Sequence, residues 1–270
     1  MVTVVANQKG GVGKTTTAAN IGVLLARQGE RVLVVDTDPQ FALTRQLGLE
    51  FRALGVNLVD VLAGRAAASD AIVARVHGVD VISGARELAG VEMSLVSELG
   101  RERFLRDVLE PVLDDYEHVV IDTPPNLGLL TVNALVCADL VLAPVSAEDE
   151  ASLHGIVELR NTITRLAERL GVPAPQLVAL LTRWQRHRIS SRSAEDGLIA
   201  ERLAPAGRIP SRSALIARAA ARRIPLALSE PDSSPAIAYR DLTELLAEAC
   251  SYNRRPDRWR RGVPRGTPLR

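Results

Sequence analysis

The sequence predicts an α/β fold built on a single doubly wound, mostly parallel sheet with helices on both faces. Three observations carry that expectation. Short runs rich in Val, Ile and Leu alternate with longer stretches of helical character. The runs lack polar alternation, as strands covered on both faces do. A glycine-rich turn, Gly10-Gly11-Val12-Gly13, joins the first run to the first helical stretch. Such alternation gives parallel strands joined by right-handed crossovers.

The first strand is expected at Val2–Ala6, an apolar and β-branched run ahead of the glycine turn. Thr15–Gln28 follows as a helix, stopped by Gly29. Arg31–Asp36 returns as the second strand and ends on an aspartate. Residues 44–76 read as short helices and turns. Val79–Ile82 is the third expected strand, and Arg101–Leu113 the next long helix. His118–Asp122 is an apolar strand that again ends on an aspartate. Leu127–Val136 is helical, Asp139–Pro144 a strand, Ser152–Leu170 a long helix and Gln176–Thr182 a strand. Later helices are expected at Ser190–Arg202, Ala214–Arg222 and Pro235–Ala249. The chain therefore reads as one domain over residues 1–250. Ser251–Arg270 carries seven arginines and three prolines with little apolar periodicity, and is expected to be a disordered basic tail.

Bulk composition narrows the class. A chain of 270 residues, 47% hydrophobic and 24% charged, can bury a real core. No apolar run reaches the roughly 18 residues that cross a bilayer. The apolar run begins at Val2, so no signal peptide is expected. Cys137 and Cys250 lie far apart without metal-like spacing, which fits a reducing, cytoplasmic setting. The four histidines, His77, His118, His154 and His187, have no ligand-like spacing. Net charge is +1, yet it is unevenly placed. Residues 1–182 hold 15 basic and 23 acidic side chains, a balance of −8; residues 183–270 hold 18 arginines and 9 acids, a balance of +9. That polarity suits either an anionic partner for the second part or charges that intermix in space. Aromatics make up only 3%, too few for base stacking along a single strand.

Only two lysines occur, Lys9 and Lys14, both in Asn7-Gln8-Lys9-Gly10-Gly11-Val12-Gly13-Lys14-Thr15-Thr16-Thr17. An apolar strand, a glycine-rich turn and a helix form the context of a phosphate-binding loop. Gly10, Gly11 and Gly13 let backbone N–H groups converge, and with the helix N-terminus they make a nest for phosphate oxygens. Lys14 is placed for the β- and γ-phosphates, and the Thr15 hydroxyl for Mg²⁺. Strict G-x-x-x-x-G-K-[ST] fails, because Gln8 stands at the first glycine position.

NQKGGVGKTTT resembles the deviant Walker A motif of the ParA/MinD family, K-G-G-x-G-K-[ST]. Val34-Val35-Asp36-Thr37-Asp38-Pro39-Gln40 is similar to that family's switch I, and Val119-Val120-Ile121-Asp122-Thr123-Pro124-Pro125 to its Walker B and switch II start. Likeness extends over residues 2–250, strongest in the first 145. Two departures stand out: Phe41-Ala42-Leu43-Thr44 replaces G-N-A-T, and Ile209-Pro210-Ser211-Arg212 replaces I-P-R-N. They resemble a plasmid-type or divergent member.

The resemblance implies an ATPase that uses ATP and Mg²⁺. By it, ATP lies on Lys9, Gly10, Gly11, Val12, Gly13, Lys14, Thr15 and Thr16. Thr182, Arg183, Pro210 and Arg212 pass beside the adenine. Lys9 crosses to the nucleotide of a second subunit, making an ATP-bound homodimer. Lysine suits that task because its compact ammonium approaches phosphate as a point charge. Asp38 orients the attacking water, and Thr15, Asp36 and Asp122 lie around the Mg²⁺. Relatives of the ParA type bind double-stranded DNA without sequence preference and are stimulated by a ParB-type partner. For this chain that implies a partitioning role on the nucleoid, with Arg186, Arg188, Arg192, Arg218, Arg222 and Arg223 as candidate DNA contacts. A ParA-like protein positioning a non-DNA cargo remains an alternative. A MinD-like membrane ATPase is a further one, but it needs an amphipathic C-terminal helix, which Pro256, Pro264 and Pro268 disfavour.

Overall fold

The computed structural model describes residues 1–50, 55–149 and 151–253. Eight strands form one sheet in the order β3-β4-β2-β5-β1-β6-β7-β8. The strands are β1 Val2–Val5, β2 Val32–Asp36, β3 Ile72–Val76, β4 Val79–Ile82, β5 His118–Asp122, β6 Leu140–Ser146, β7 Gln176–Trp184 and β8 Pro205–Pro210. All neighbours run parallel except β3 and β4, which form an antiparallel hairpin at one edge. The principal helices are α1 Lys14–Arg27, α2 Ala42–Gln46, α3 Leu58–Leu62, α4 Leu88–Leu95, α5 Phe104–Leu113 and α6 Leu129–Cys137. They continue with α7 Ala151–Leu170, α8 Ile189–Ala200, α9 Ser213–Arg222, α10 Leu226–Ser229 and α11 Ser234–Asn253.

Alternate residues of one strand feed two different cores. Val4, Leu33, Val35, Val119 and Ile121 pack with Leu58, Leu88, Leu105, Leu109, Leu130 and Ile156 of α3 to α7. Val5, Val32, Val34 and Val120 face the other way, onto Ile21, Leu24 and Leu25 of α1 and Tyr239 and Leu242 of α11. Both faces are apolar, which is why these strands read as continuous hydrophobic runs. Helix α1 lies close on the sheet: a methyl group at Gly22 would stand 2.9 Å from Val34 Cγ2.

The short helices α4 and α10 fall in no expected segment, and three further elements, β3, β8 and α11, depart from the sequence expectation. β3 is an edge strand with exposed positions, so its apolar signal is weak; it returns to β4 through His77 and Gly78, both at positive φ, the turn geometry that suits a tight hairpin. β8 contains Pro205, Gly207 and Pro210, tolerated because it forms the opposite edge. Helix α11 continues to Asn253, into the segment expected as tail. Residues 254–270 lie outside the described residues, as does Trp259.

Candidate nucleotide-binding site

β1 is the central strand of the motif region, flanked by β5 and β6, and its carboxyl end opens into the glycine-rich turn. Asn7 anchors the turn's start. Its Nδ2 donates to Pro144 O at 2.7 Å and its Oδ1 accepts from Lys9 N at 3.0 Å. Gly155 of α7 must lack a side chain, because a methyl group there would overlap Asn7 Oδ1. Gly11 at φ 74° and Gly13 at φ 95° take the left-handed conformation that bends the loop into α1. Thr182 Oγ1 donates to Val12 O at 2.8 Å, and Arg183 Nη2 donates to Gly11 O at 2.9 Å, so the end of β7 holds the loop's far wall.

The two lysines are placed in opposite ways. Lys14 is buried at 7% exposure, and its Nζ donates to Lys9 O at 3.1 Å. Burial lowers the Lys14 pKa, while the carboxylates of Asp122 and Asp38 pull it back up. The Lys9 side chain is 43% exposed and its Nζ stands 3.2 Å from Asp149 Oδ2.

Three aspartates gather opposite Lys14 at the ends of β2 and β5. Asp122 is fully buried, its Oδ2 accepts from Thr15 Oγ1 at 2.7 Å, and its Oδ1 has no hydrogen-bond partner among the described residues. Burial, and then the charge of Asp36, push the Asp122 pKa well above the usual carboxylate range. Burial raises Asp36 to about 6, against the lowering effect of Thr44. Asp36 serves the loop after β2. Its Oδ2 accepts from Thr44 N and Thr44 Oγ1 at 2.8 and 2.7 Å, and its Oδ1 from Asp38 N at 3.2 Å. Asp38 is buried at 8% exposure, its Oδ1 accepting from Gln40 N at 2.8 Å. Among the described residues no preformed cage of three or more His, Cys, Asp or Glu groups exists. A Mg²⁺ held by one or two protein oxygens plus phosphate and water needs none. The orphaned Asp122 Oδ1 beside the Thr15 hydroxyl fits such an ion. Asp36, with both oxygens engaged, fits less well as a direct ligand.

The glycine-rich loop at the end of β1 thus carries a buried lysine and a half-exposed second lysine, with an aspartate of β5 beside it. The family model described as an AAA domain, AAA_31, matches residues 1–173. The chain is 42% identical over 199 residues to the chromosome partitioning protein ParA of Caulobacter vibrioides, covering 72% of this chain and 74% of that one. It is 45% identical over 167 residues to the sporulation initiation inhibitor protein Soj of Bacillus subtilis, covering 62% and 66%. The chain belongs to the ParA/MinD family of ATPases. Its fold matches cobyrinic acid a,c-diamide synthase of Mycobacterium smegmatis, solved with an ATP analogue and magnesium, at a TM-score of 0.79 and 35% identity, covering 94% and 96%.

In this ParA/MinD-family ATPase the arginines expected at DNA fall into two groups. Arg186 and Arg188 line a cleft of about 620 Å³ together with Trp184, Pro210 and Arg212. Residues expected at adenine and residues expected at DNA thus share one cleft. Arg192 stands exposed on α8, one turn on. Arg218 and Arg222 pair with Glu230 at 2.8 and 3.7 Å, and Arg223 with Glu50 at 3.2 Å, away from that cleft's lining. Thr16 contributes its carbonyl, which accepts from Asn20 Nδ2. Sequence reading missed Asn7, Thr44, Gly84 and Asp149. Thr44 Oγ1 also accepts from Gly84 N, and a side chain at Gly84 would meet Asp36 O at 2.8 Å. Asn7 and Thr44 lie within motif segments, but their contacts with Pro144 O and Gly84 N, like that of Asp149 with Lys9, join residues far apart in sequence.

The raised Asp122 carboxyl carries a testable cost. A carboxyl whose folded pKa lies above its unfolded value stabilises the fold only while protonated; that contribution is complete below about pH 4 and is lost as pH rises toward the folded value. Asp122→Asn cannot ionise and keeps an acceptor for Thr15. Calorimetry of the nucleotide-free variant at pH 7 is expected to show a thermal midpoint several degrees above wild type, with the gain vanishing near pH 4. An equal midpoint at both pH values would remove the assigned electrostatic strain.

Proposed function

We propose that this ATPase partitions DNA: two ATP-loaded copies pair face to face, bind double-stranded DNA without sequence preference, and separate after slow hydrolysis stimulated by a ParB-type partner. The protein works in the cytoplasm, on the nucleoid. The observation that carries the reading is the contrast between the two lysines, one buried against the carboxylates of its own site and one half-exposed at the loop's rim. In this reading Lys14 and the loop N–H groups hold the phosphates, Asp38 orients water at the γ-phosphate, and Lys9 reaches the neighbouring copy's phosphates. Thr15 and Asp122 would hold Mg²⁺, which would supply positive charge against the phosphate oxygens. Hydrolysis removes the γ-phosphate contacts that join the pair. Relatives named for chromosome partitioning and the arginine-lined cleft support DNA as the surface on which the pair acts.

DNA binding measured with ATP, with ADP and without nucleotide tests the proposal. Tight binding is expected only with ATP, with affinity falling steeply as salt rises. Replacing Arg186, Arg188 and Arg192 together with alanine is expected to weaken it uniformly across sequences and to reduce the salt slope by about one per lost phosphate contact. Equal binding in all three nucleotide states, or binding that survives high salt unchanged, contradicts it.

A further inference from the structure

We infer that Asp149 is a positioning residue for Lys9, holding the ammonium on its own subunit and thereby competing with the partner subunit's phosphates for it. The inference rests on the proposed pairing and adds a residue that neither the motifs nor the comparisons assign. Asp149 sits in the turn after β6, and that turn is fixed. Asp149 N donates to Ser146 O at 3.3 Å, while Asp149 O accepts from Ser152 N at 3.1 Å and Ser152 Oγ at 2.6 Å. Ser152 is itself fully buried. A carboxylate on a held backbone therefore meets a long, mobile ammonium at 3.2 Å, with the Lys9 and Asp149 side chains 43% and 40% exposed. Glu148, the residue before it, holds Arg188 at 3.0 Å and faces Arg183 at 3.8 Å, and Arg183 in turn caps Gly11 O. In the unpaired subunit this acidic dipeptide engages Lys9 of the loop together with Arg183 and Arg188 beside it. For Lys9 to reach a neighbouring phosphate, its contact with Asp149 has to open. An exposed pair of this kind shifts an equilibrium by up to about fivefold. A dimer opens two of them, and the two effects multiply.

The test measures ATP-dependent pairing by sedimentation for wild type, Asp149→Asn, Asp149→Glu and Lys9→Ala, and ATP affinity of Lys9→Ala with and without Asp149→Asn. Asp149→Asn is expected to pair roughly tenfold more tightly, and Asp149→Glu to pair as wild type does. In the Lys9→Ala background the Asn substitution is expected to leave monomer ATP affinity unchanged, since its effect runs through Lys9. Wild-type pairing by Asp149→Asn, with pairing lost in Lys9→Ala, overturns the Asp149 assignment and leaves the crossing lysine standing. Tighter ATP binding by Asp149→Asn in the Lys9→Ala background places Asp149 against the phosphates instead and also overturns it. Full pairing by Lys9→Ala overturns the pairing mechanism itself.

Discussion

Lys14→Gln is expected to lower ATP affinity by a factor of about 100 to 1,000, read by calorimetric titration with Mg²⁺ present. Lys14 is the buried cation of the site, and it faces Asp122 and Asp38 across the space the loop encloses. Removing one member of a buried charge arrangement costs about 2–5 kcal/mol in binding, because the remaining charges lose their counterion. Gln keeps the length and a donor for Lys9 O but brings no charge to the phosphates. Its fold is expected to survive, since the site's other contacts, Thr15 to Asp122 and Thr182 to Val12, do not pass through Lys14. An ATP affinity within threefold of wild type would contradict the placement of the phosphates at Lys14.

Asp38→Ala is expected to slow hydrolysis by about 10² to 10³ while ATP binding persists, so that the ATP-bound form accumulates. Loss of a positioned acid–base group costs hydrolysis roughly this much. The hydrogen bonds around Asp38 are the reason binding is expected to persist. Asp38 lies in the turn after β2, held on its near side by Thr37 on Asp122 O and on its far side by Thr44 on Asp36. Those anchors do not involve the Asp38 side chain. Its bond to Gln40 N is lost, a local change in the turn. Hydrolysis at the wild-type rate in single-turnover measurements would assign the water to another group.

Much of this was legible in the chain, for definite reasons. His118–Asp122 was readable to the residue because both faces of that strand are buried, leaving no polar alternation to confuse the pattern, and Val79–Ile82 was readable from its three buried apolar residues. The glycine turn was readable because Gly11 and Gly13 take conformations that other residues resist. β3 was hidden because Ala74 and Arg75 face solvent at an edge, and Arg75 takes positive φ at the irregular pairing there. β8 was hidden because its prolines argue against a strand unless its edge position is known. The site shows the same division. Residue types for phosphate and metal were visible as local motifs. How Asp36 uses its two oxygens was not, since the fold of the loop gives one to Thr44 and the other to Asp38 N. Asp149 was invisible as a partner of Lys9, because only the parallel pairing of β1 with β6 brings the two turns to one sheet edge.

The central claim, that two ATP-loaded copies join through a lysine each lends the other, is tested most directly by sedimentation of Asp38→Ala with Mg-ATP, alone and combined with Lys9→Ala. The account predicts a stable dimer for Asp38→Ala and a monomer for the double variant at the same concentration. A monomeric Asp38→Ala protein, or a double variant that pairs as strongly as the single one, would contradict it.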